Sequence, residues 1–285
     1  MPAFDDHRLR LPEGGSGMVL QVSAGVTALR ASPQPDATQV SQVLFGERVT
    51  LHHEEGAFGL IQCQHDGYVG WVLIEALSAP ALETTHRVRA ARLHAYAEPK
   101  ISAAPHFVLG VGARLTATGE RDGRYLRFER AGWIVDHLVA PVAQCESDPA
   151  SVAERFLGTP YLWGGRYCLG MDCSGLLQIA FAACGITAPR DSDMQREWFG
   201  DAIKDWQAPG ALQRNDLICW QGHIGIMLDA DTLLHANGTF MQTLHEPLRP
   251  AIARIATEYG EPLGARRINL AALRGVKPDW LTPQA

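Results

Sequence analysis

The sequence lacks the features that would place this protein in a membrane or on nucleic acid. Its N-terminal stretch "MPAFDDHRLRLPEGGSG" is polar and acidic, without the apolar segment of a secretory signal peptide. No run is long and apolar enough to span a bilayer. There is no Lys/Arg cluster, and the formal net charge is −6 at pH 7. These absences argue against nucleic acid or a membrane as a partner, and we expect a cytoplasmic protein.

The cysteines lack the spacing of a zinc site. No CxxC pair occurs among the six, which are Cys63, Cys145, Cys168, Cys173, Cys184 and Cys219. An even number is compatible with disulfides, but a chain of this size without a signal peptide favours free thiols. We expect no metal and no cofactor.

What the sequence does contain is a weak internal repeat in its first half. Residues 26–72 and 91–135 share one order of short strands and Pro/Gly turns, with "GERVT" answered by "GARLT" and a Gly-Trp near the end of each copy. Short alternating strands at this spacing predict small barrels. The two copies resemble bacterial SH3-type domains, and we place them at residues 17–79 and 85–140.

A linker, "APVAQCESDPA", follows at residues 140–150, and a separate α+β domain is predicted over 148–285. Ser147 is a capping candidate, and Asp148 and Pro149 suit the first turn of a helix. Near the C-terminus, "GARRINL" is expected to end the sheet.

Cys173 is the most informative cysteine. It follows a glycine-rich loop and precedes residues 174–183, a run of helix formers that should stop at Gly185. At a helix N-terminus, free N–H groups and the helix dipole lower the pKa of a thiol, as a nucleophile requires. The alternative is an inert buried cysteine, a role that suits Cys184 better.

Two histidines are candidates for the base that a thiol nucleophile needs. The segment 219–238 predicts two strands around a turn near Asp229–Asp231. If these strands pair about that turn, His223 and His235 lie on one face, about one diagonal apart. His223 would take the thiol proton, and His235 would orient its ring. Taken alone, each histidine is more often a satisfied, half-buried structural side chain than a catalytic one.

The segments "YLWGG", "DCSG", "HIGI" and "LHANG", in this order, resemble the NlpC/P60 family of papain-like cysteine peptidases. With the paired barrels, the chain is similar to the murein-peptide γ-D-glutamyl-L-diamino acid endopeptidases. The resemblance implies a multidomain fold: two all-β SH3-like barrels, then an α+β papain-like domain with an antiparallel sheet. It also implies Cys173 as nucleophile, His223 as base and His235 as the orienting residue.

Further roles follow from the resemblance. Tyr161 would stand near the oxyanion and the substrate, although packing beside Trp163 is its other reading. Asp172 and Ser174 would bind the free α-amine of an N-terminal L-Ala, or cap the helix, or both. Tyr68 of the first barrel is a candidate contact. We leave Arg190, expected to form an ordinary ion pair, outside the catalytic set.

The function implied is hydrolysis of the γ-D-glutamyl-diamino acid bond in murein tri- or tetrapeptides during cell-wall peptide recycling. One alternative is an exported peptidoglycan hydrolase that acts on the intact wall. Another is a binding protein with an inactive catalytic domain, in which the SH3-type barrels recognise peptides or glycans.

Overall fold

The computed structural model describes residues 6–11 and 17–281. These residues divide into two compact units, one ending at Cys145 and the other beginning at Glu146. Among the described residues, no helix is both long and apolar enough to cross a membrane. The limits that the sequence suggests for the three domains remain predictions.

The first part of the N-terminal unit is a seven-stranded antiparallel sheet. Two 3-10 turns accompany it, His7–Leu9 and Ile74–Ala76. Its strands are β1 (Met18–Val22), β2 (Val26–Arg30), β3 (Gln39–Leu44), β4 (Arg48–Glu55), β5 (Phe58–Cys63), β6 (Val69–Leu73) and β7 (Leu77–Ser78). They lie in the order β3-β2-β6-β5-β4-β1-β7. Alternate apolar side chains of these strands, among them Leu29, Val43, Val49, Ile61 and Val72, form the buried core.

The second part repeats that strand order. A 3-10 turn, Asp136–Leu138, precedes its last strand. The strands are β8 (His86–Val88), β9 (Arg92–Tyr96), β10 (Pro105–Gly110), β11 (Arg114–Leu115), β12 (Ala117–Asp122), β13 (Tyr125–Phe128), β14 (Gly132–Val135) and β15 (Val139–Pro141). One sheet has the order β10-β9-β14-β13-β12 and the other β11-β8-β15. If β11 and β12 are read as one interrupted strand, the order matches that of β1 to β7, which agrees with the repeat in the sequence.

The two β modules pack closely against each other. Phe45 of the first belongs to the hydrophobic core of the second, and its ring centroid lies 5.4 Å from that of Phe107. Gly46 has a φ of +78°, and a Cβ at this position would lie 1.9 Å from the carbonyl oxygen of Arg114. Only glycine allows this approach, so the junction depends on the residue that opens "GERVT".

The C-terminal unit is built on a six-stranded antiparallel sheet with helices against it. Its helices are α1 (Pro149–Glu154), α2 (Cys173–Ala183), α3 (Ser192–Trp198), α4 (Leu248–Tyr259) and α5 (Leu270–Leu273), with a 3-10 turn at Asp279–Leu281. Its strands are the hairpin β16 (Arg166–Tyr167) and β17 (Gly170–Met171), and then β18 (Asp201–Ala202), β19 (Leu217–Trp220), β20 (His223–Met227), β21 (Thr232–Asn237), β22 (Gln242–Pro247) and β23 (Gly264–Arg267). The sheet order is β18-β23-β19-β20-β21-β22.

Two helices position the parts of the sheet that matter for the site. Helix α2 is buried along nearly its whole length and contacts β20 and β21. Helix α4 packs its apolar face, with Leu248, Ala251 and Ile255, into a core cluster with side chains of β19, β20 and β21. The strand in "GARRINL" pairs with β19 inside the sheet, not at its end, because the short β18 adds beyond it.

Candidate active site

Cys173 is the first residue of α2, as the sequence predicts. Asp172 caps this helix, its Oδ1 accepting a hydrogen bond from the backbone N–H of Gly175 at 2.6 Å. The loop before the helix approaches closely, since a Cβ on Gly175 would lie 2.1 Å from the carbonyl oxygen of Gly165. At the other end, Gly185 has a φ of +77°, in agreement with a glycine stop.

The environment of the Cys173 thiol differs from the expectation. Burial, and then the negative charge of Asp172, raise the pKa of the thiol to about 12. The backbone N–H groups of Ile224 and Ser174 and the charge of Arg190 lower it, but by less. The predicted lowering of the thiol pKa is therefore wrong in this structure, because desolvation outweighs the donors of the first helical turn. The thiol is neutral at pH 7.

Asp172 and Ser174 belong to a buried polar network around Arg190. Arg190 donates from Nη2 to Asp172 Oδ2 at 2.7 Å, and from Nη1 to Asp172 Oδ1 at 3.1 Å and to the Ser174 hydroxyl at 3.0 Å. The Arg190 side chain is only 1% exposed. Asp172 thus caps the helix and balances a buried guanidinium at once, and Arg190 forms the structural ion pair expected of it.

The two histidines meet as the hairpin register predicts. Strand β20 pairs with β21 through Ile226–Leu234 and Met227–Leu233, which places His223 and His235 on one face, two residues out of direct opposition. Nε2 of His223 lies 2.8 Å from Nδ1 of His235. Gly225 leaves room between them, because its Cβ would come within 3.2 Å of the His235 Cβ.

His223 is held as a neutral imidazole. Burial, and then the positive charges of the protonated form of His235 and of Arg254, lower its pKa to about 3. The rings of Trp220 and Tyr259 flank it, with centroids 5.6 and 6.0 Å away. Within the described ranges, no hydrogen bond joins its Nδ1 to the thiol. The Cys173 sulfur instead accepts the N–H of Ile224, the residue that follows His223. Such contacts are often long before substrate binds.

Three residues that the sequence reasoning missed surround the far side of His235. Its Nε2 lies 2.8 Å from Oε1 of Glu246 and 3.1 Å from Nδ2 of Asn237. Arg254 of α4 donates to the same Oε1 of Glu246. The sequence could have linked Glu246 to His235 only if the register of β21 and β22 had been known. In that register Leu244 stands directly opposite His235, and Glu246 follows Leu244 by two residues on the same face.

Burial alone would raise the pKa of the Glu246 carboxyl. The hydrogen bond from His235, the charge of the protonated form of His235 and the charge of Arg254 together outweigh burial and lower this pKa. Glu246 is therefore an ionised acceptor at neutral pH.

Tyr161 lies near the thiol. Burial, and then the negative charges of Cys173 in its thiolate form and of Asp172, raise the pKa of its phenol, which therefore keeps its proton. Its backbone N–H donates to the carbonyl of Met241 at 2.9 Å. Tyr68 lies in the other unit, where it is buried and its N–H donates to Asp66 Oδ1 at 3.1 Å. The roles given to Tyr161 and Tyr68 stay predictions.

Three side chains with metal-ligating atoms lie close together in the first β module. Ligand atoms of Cys63, His65 and Asp66 lie within 4.8 Å of one another. Nε2 of His65 lies 3.1 Å from Asp66 Oδ2, and its Nδ1 lies 3.8 Å from Oε1 of Glu47. Among the described residues, neither ring nitrogen of His65 forms a hydrogen bond, and we assign no metal to the group from these distances. All six cysteines are free thiols.

Two family models match the chain. The bacterial dipeptidyl-peptidase SH3 domain matches residues 29–77, and the NlpC/P60 family matches residues 158–252. The first match covers only the first β module, so an SH3-type assignment of the second remains a prediction. The second match contains Cys173, His223, His235 and Glu246.

Curated relatives extend beyond these matches. The chain is 27% identical over 258 residues to the gamma-D-glutamyl-L-lysine dipeptidyl-peptidase of Bacillus subtilis (strain 168), which covers 76% of this chain and 81% of that protein. It is 31% identical over 125 residues to dipeptidyl-peptidase 6 of Lysinibacillus sphaericus. That match spans 42% of the length of each protein.

Solved structures support the fold. An NlpC/P60 family protein from Bacillus cereus ATCC 10987 aligns with a TM-score of 0.73 and 21% identity, covering 88% of this chain and 99% of that chain. An NlpC/P60 endopeptidase from Photobacterium damselae subsp. piscicida aligns with a TM-score of 0.58 and 16% identity, covering 90% of this chain and 72% of that chain. At these identities the likeness concerns the fold alone.

Proposed function

We propose that this chain, which carries an NlpC/P60 domain preceded by a bacterial SH3 domain, is a cysteine endopeptidase for murein peptides. The bond cleaved is that between γ-D-Glu and the following diamino acid, in tri- or tetrapeptides with a free N-terminal L-Ala. The observation that carries the proposal is the 2.8 Å contact of His223 with His235 on the strand beside the Cys173 thiol. The B. subtilis relative, named for a γ-D-glutamyl-L-lysine substrate, supports the choice of bond.

The proposed reaction begins with Cys173 and His223 both uncharged. His223 takes the Cys173 proton on Nδ1 as the sulfur attacks the γ-carbonyl carbon of D-Glu, so that the negative and positive charges form together. The backbone N–H of Cys173, in the first helical turn, donates to the developing oxyanion. Tyr161, which remains protonated, is the second proposed donor.

Breakdown of this intermediate completes the acylation. His223 returns the proton to the amine of the diamino acid, the C–N bond breaks, and a thioester remains on Cys173. A water molecule, deprotonated by His223, then attacks the thioester. The D-Glu carboxylate leaves and the thiol regains its proton.

Recognition of the free amine would involve Asp172 and Ser174. An ammonium group would meet the oxygens of Asp172 and Ser174, but Arg190 already binds both residues. The amine would therefore share the Asp172 carboxylate, whose charge Arg190 already balances. Hydrogen-bond geometry would then contribute more to binding of the amine than net electrostatic attraction. Tyr68 remains a proposed contact of the same substrate end, and a cytoplasmic recycling role is part of the proposal.

The test is incubation with L-Ala-γ-D-Glu-meso-diaminopimelate and its N-acetylated form, with products followed by mass spectrometry. Cys173→Ala should abolish cleavage, while Cys184→Ala, which removes the cysteine after α2, should retain it. Cleavage restricted to the free-amine peptide supports the recycling role. Equal cleavage of both forms shifts the substrate to the intact wall, and activity in Cys173→Ala refutes the thiol mechanism. Fractionation of cells that produce the native protein tests the proposed cytoplasmic location.

A further inference from the structure

Glu246 is the last member of a row of side chains that starts at His223. Nε2 of His223 lies 2.8 Å from Nδ1 of His235, and Nε2 of His235 lies 2.8 Å from Oε1 of Glu246. The row crosses β20, β21 and β22 on one sheet face. His235 is fully buried, and the Glu246 side chain is 15% exposed. Water therefore has little access to the bonds that link these groups.

The proton positions in this row follow from its far end. An ionised carboxylate can only accept, so the nitrogen that faces Glu246 carries the hydrogen. When His235 is uncharged, its Nδ1 is then an acceptor, and Nε2 of His223 donates to it. Nδ1 of His223 is left without a hydrogen, which is the state a base for the thiol requires.

Asn237 competes with Glu246 for the same nitrogen of His235. The Oδ1 of Asn237 accepts the N–H groups of Thr239 and Phe240 at 2.7 and 3.1 Å, so its amide nitrogen faces His235 as a donor. If Asn237 prevailed, Nε2 of His235 would accept and the hydrogen would move to Nδ1. His223 would then have to accept on Nε2 and carry its hydrogen on Nδ1, where it could not take the thiol proton.

The geometry points to Glu246 as a positioning residue that selects the active tautomers of His235 and His223, held in place by Arg254 from α4. This inference rests on the proposed function for its catalytic meaning. The prevalence of Glu246 over Asn237 follows from the shorter contact and the charge of the carboxylate, since charge-assisted hydrogen bonds are about twice as strong as neutral ones. Arg254 donates to the same oxygen and keeps it directed at His235.

Two substitutions separate tautomer selection from simple support. Glu246→Leu removes the acceptor and leaves Asn237 as the partner of His235. Glu246→Gln keeps an amide oxygen that accepts from both His235 and Arg254. The control is Glu197→Gln, which removes the same charge from an exposed pair with Arg196 on α3.

We expect Glu246→Leu to lower kcat by about 10–100-fold with little change in KM, by analogy with carboxylates that orient metal-binding imidazoles. Glu246→Gln should lose less, and Glu197→Gln should match the wild type. ¹⁵N NMR of the histidine rings should show the His235 hydrogen on Nε2 in the wild type and in Glu246→Gln, and on Nδ1 in Glu246→Leu. A variant that still melts cooperatively has kept its fold, so a shift of this hydrogen in that variant reports the change of tautomer and not unfolding.

The same variants are tested without substrate by the rate at which iodoacetamide alkylates Cys173, followed on the Cys173 peptide by mass spectrometry. Glu246→Leu should react more slowly at pH 7, because His223 cannot accept the thiol proton. If the wild type cleaves no murein peptide, the proposed function fails, yet NMR and alkylation still decide this inference. Wild-type alkylation in Glu246→Leu, or His235 still protonated on Nε2, overturns it.

Discussion

The ion pair between Arg190 and Asp172 supports both the stability of the C-terminal unit and the position of the thiol. Two hydrogen bonds join the guanidinium to the carboxylate, and the Arg190 and Asp172 side chains are only 1% and 10% exposed. Arg190→Met keeps most of the volume and removes the charge. It leaves the Asp172 carboxylate, which also caps α2, without its cation.

The expected cost is large because the remaining charge stays buried. Removing one partner of a buried ion pair typically costs about 3–5 kcal/mol. For a unit of roughly 140 residues, this corresponds to a fall in Tm of about 10 °C. Arg196→Met is the matched control, since the Glu197 partner of Arg196 is 55% exposed, and exposed pairs contribute about 0–1 kcal/mol.

The pKa of the Cys173 thiol provides a second readout with opposite signs for the two partners. The charge of Arg190 lowers this pKa and that of Asp172 raises it. Arg190→Met should therefore raise the thiol pKa and slow alkylation of Cys173, whereas Asp172→Asn should lower the pKa and speed alkylation. Both variants should destabilise the unit.

Calorimetry measures the stability, and hydrogen exchange of the α2 amides assigns the transition to the C-terminal unit. The pH dependence of Cys173 alkylation measures the thiol pKa. Two outcomes would contradict this prediction: melting of Arg190→Met within about 1 °C of the Arg196→Met control, or shifts of the thiol pKa in the same direction in both network variants.

Two further predictions concern Gly175 and His223. Alanine is favoured over glycine inside a helix by about 1 kcal/mol, but Gly175→Ala should destabilise the protein because its Cβ would lie 2.1 Å from the Gly165 carbonyl oxygen; an unchanged or higher urea midpoint would contradict this. His223 has a pKa of about 3 in the folded chain against an ordinary value of 6.5. Between these two pH values, the unfolded chain therefore binds one proton that the folded chain does not. Stability should fall as pH drops from 6.5 towards 3, by up to about 1.4 kcal/mol per pH unit. His223→Gln should flatten this slope in urea titrations between pH 6.5 and 5, and an equal slope in both proteins would count against a buried neutral imidazole.

Several features of the site follow from local sequence alone. The register of one hairpin places His223 and His235 on the same face, because strand side chains alternate and the turn near Asp229–Asp231 sets the pairing. Capping chemistry places Cys173 at the start of α2 for a similar reason, since Asp172 and the helix formers after it are adjacent in the chain. The matching strand orders of the two β modules likewise reflect a repeat that is visible in the residues.

Other features depend on residues that are distant in the sequence and meet only through packing. Glu246 reaches His235 because β22 adds to β21 in one register, and Arg254 reaches Glu246 because α4 folds back over the sheet. The direction of the Cys173 pKa shift also depends on tertiary packing. A helix N-terminus read from sequence predicts a lower thiol pKa, but burial under the neighbouring elements raises it, and desolvation is a property of the packed tertiary structure that no local pattern contains.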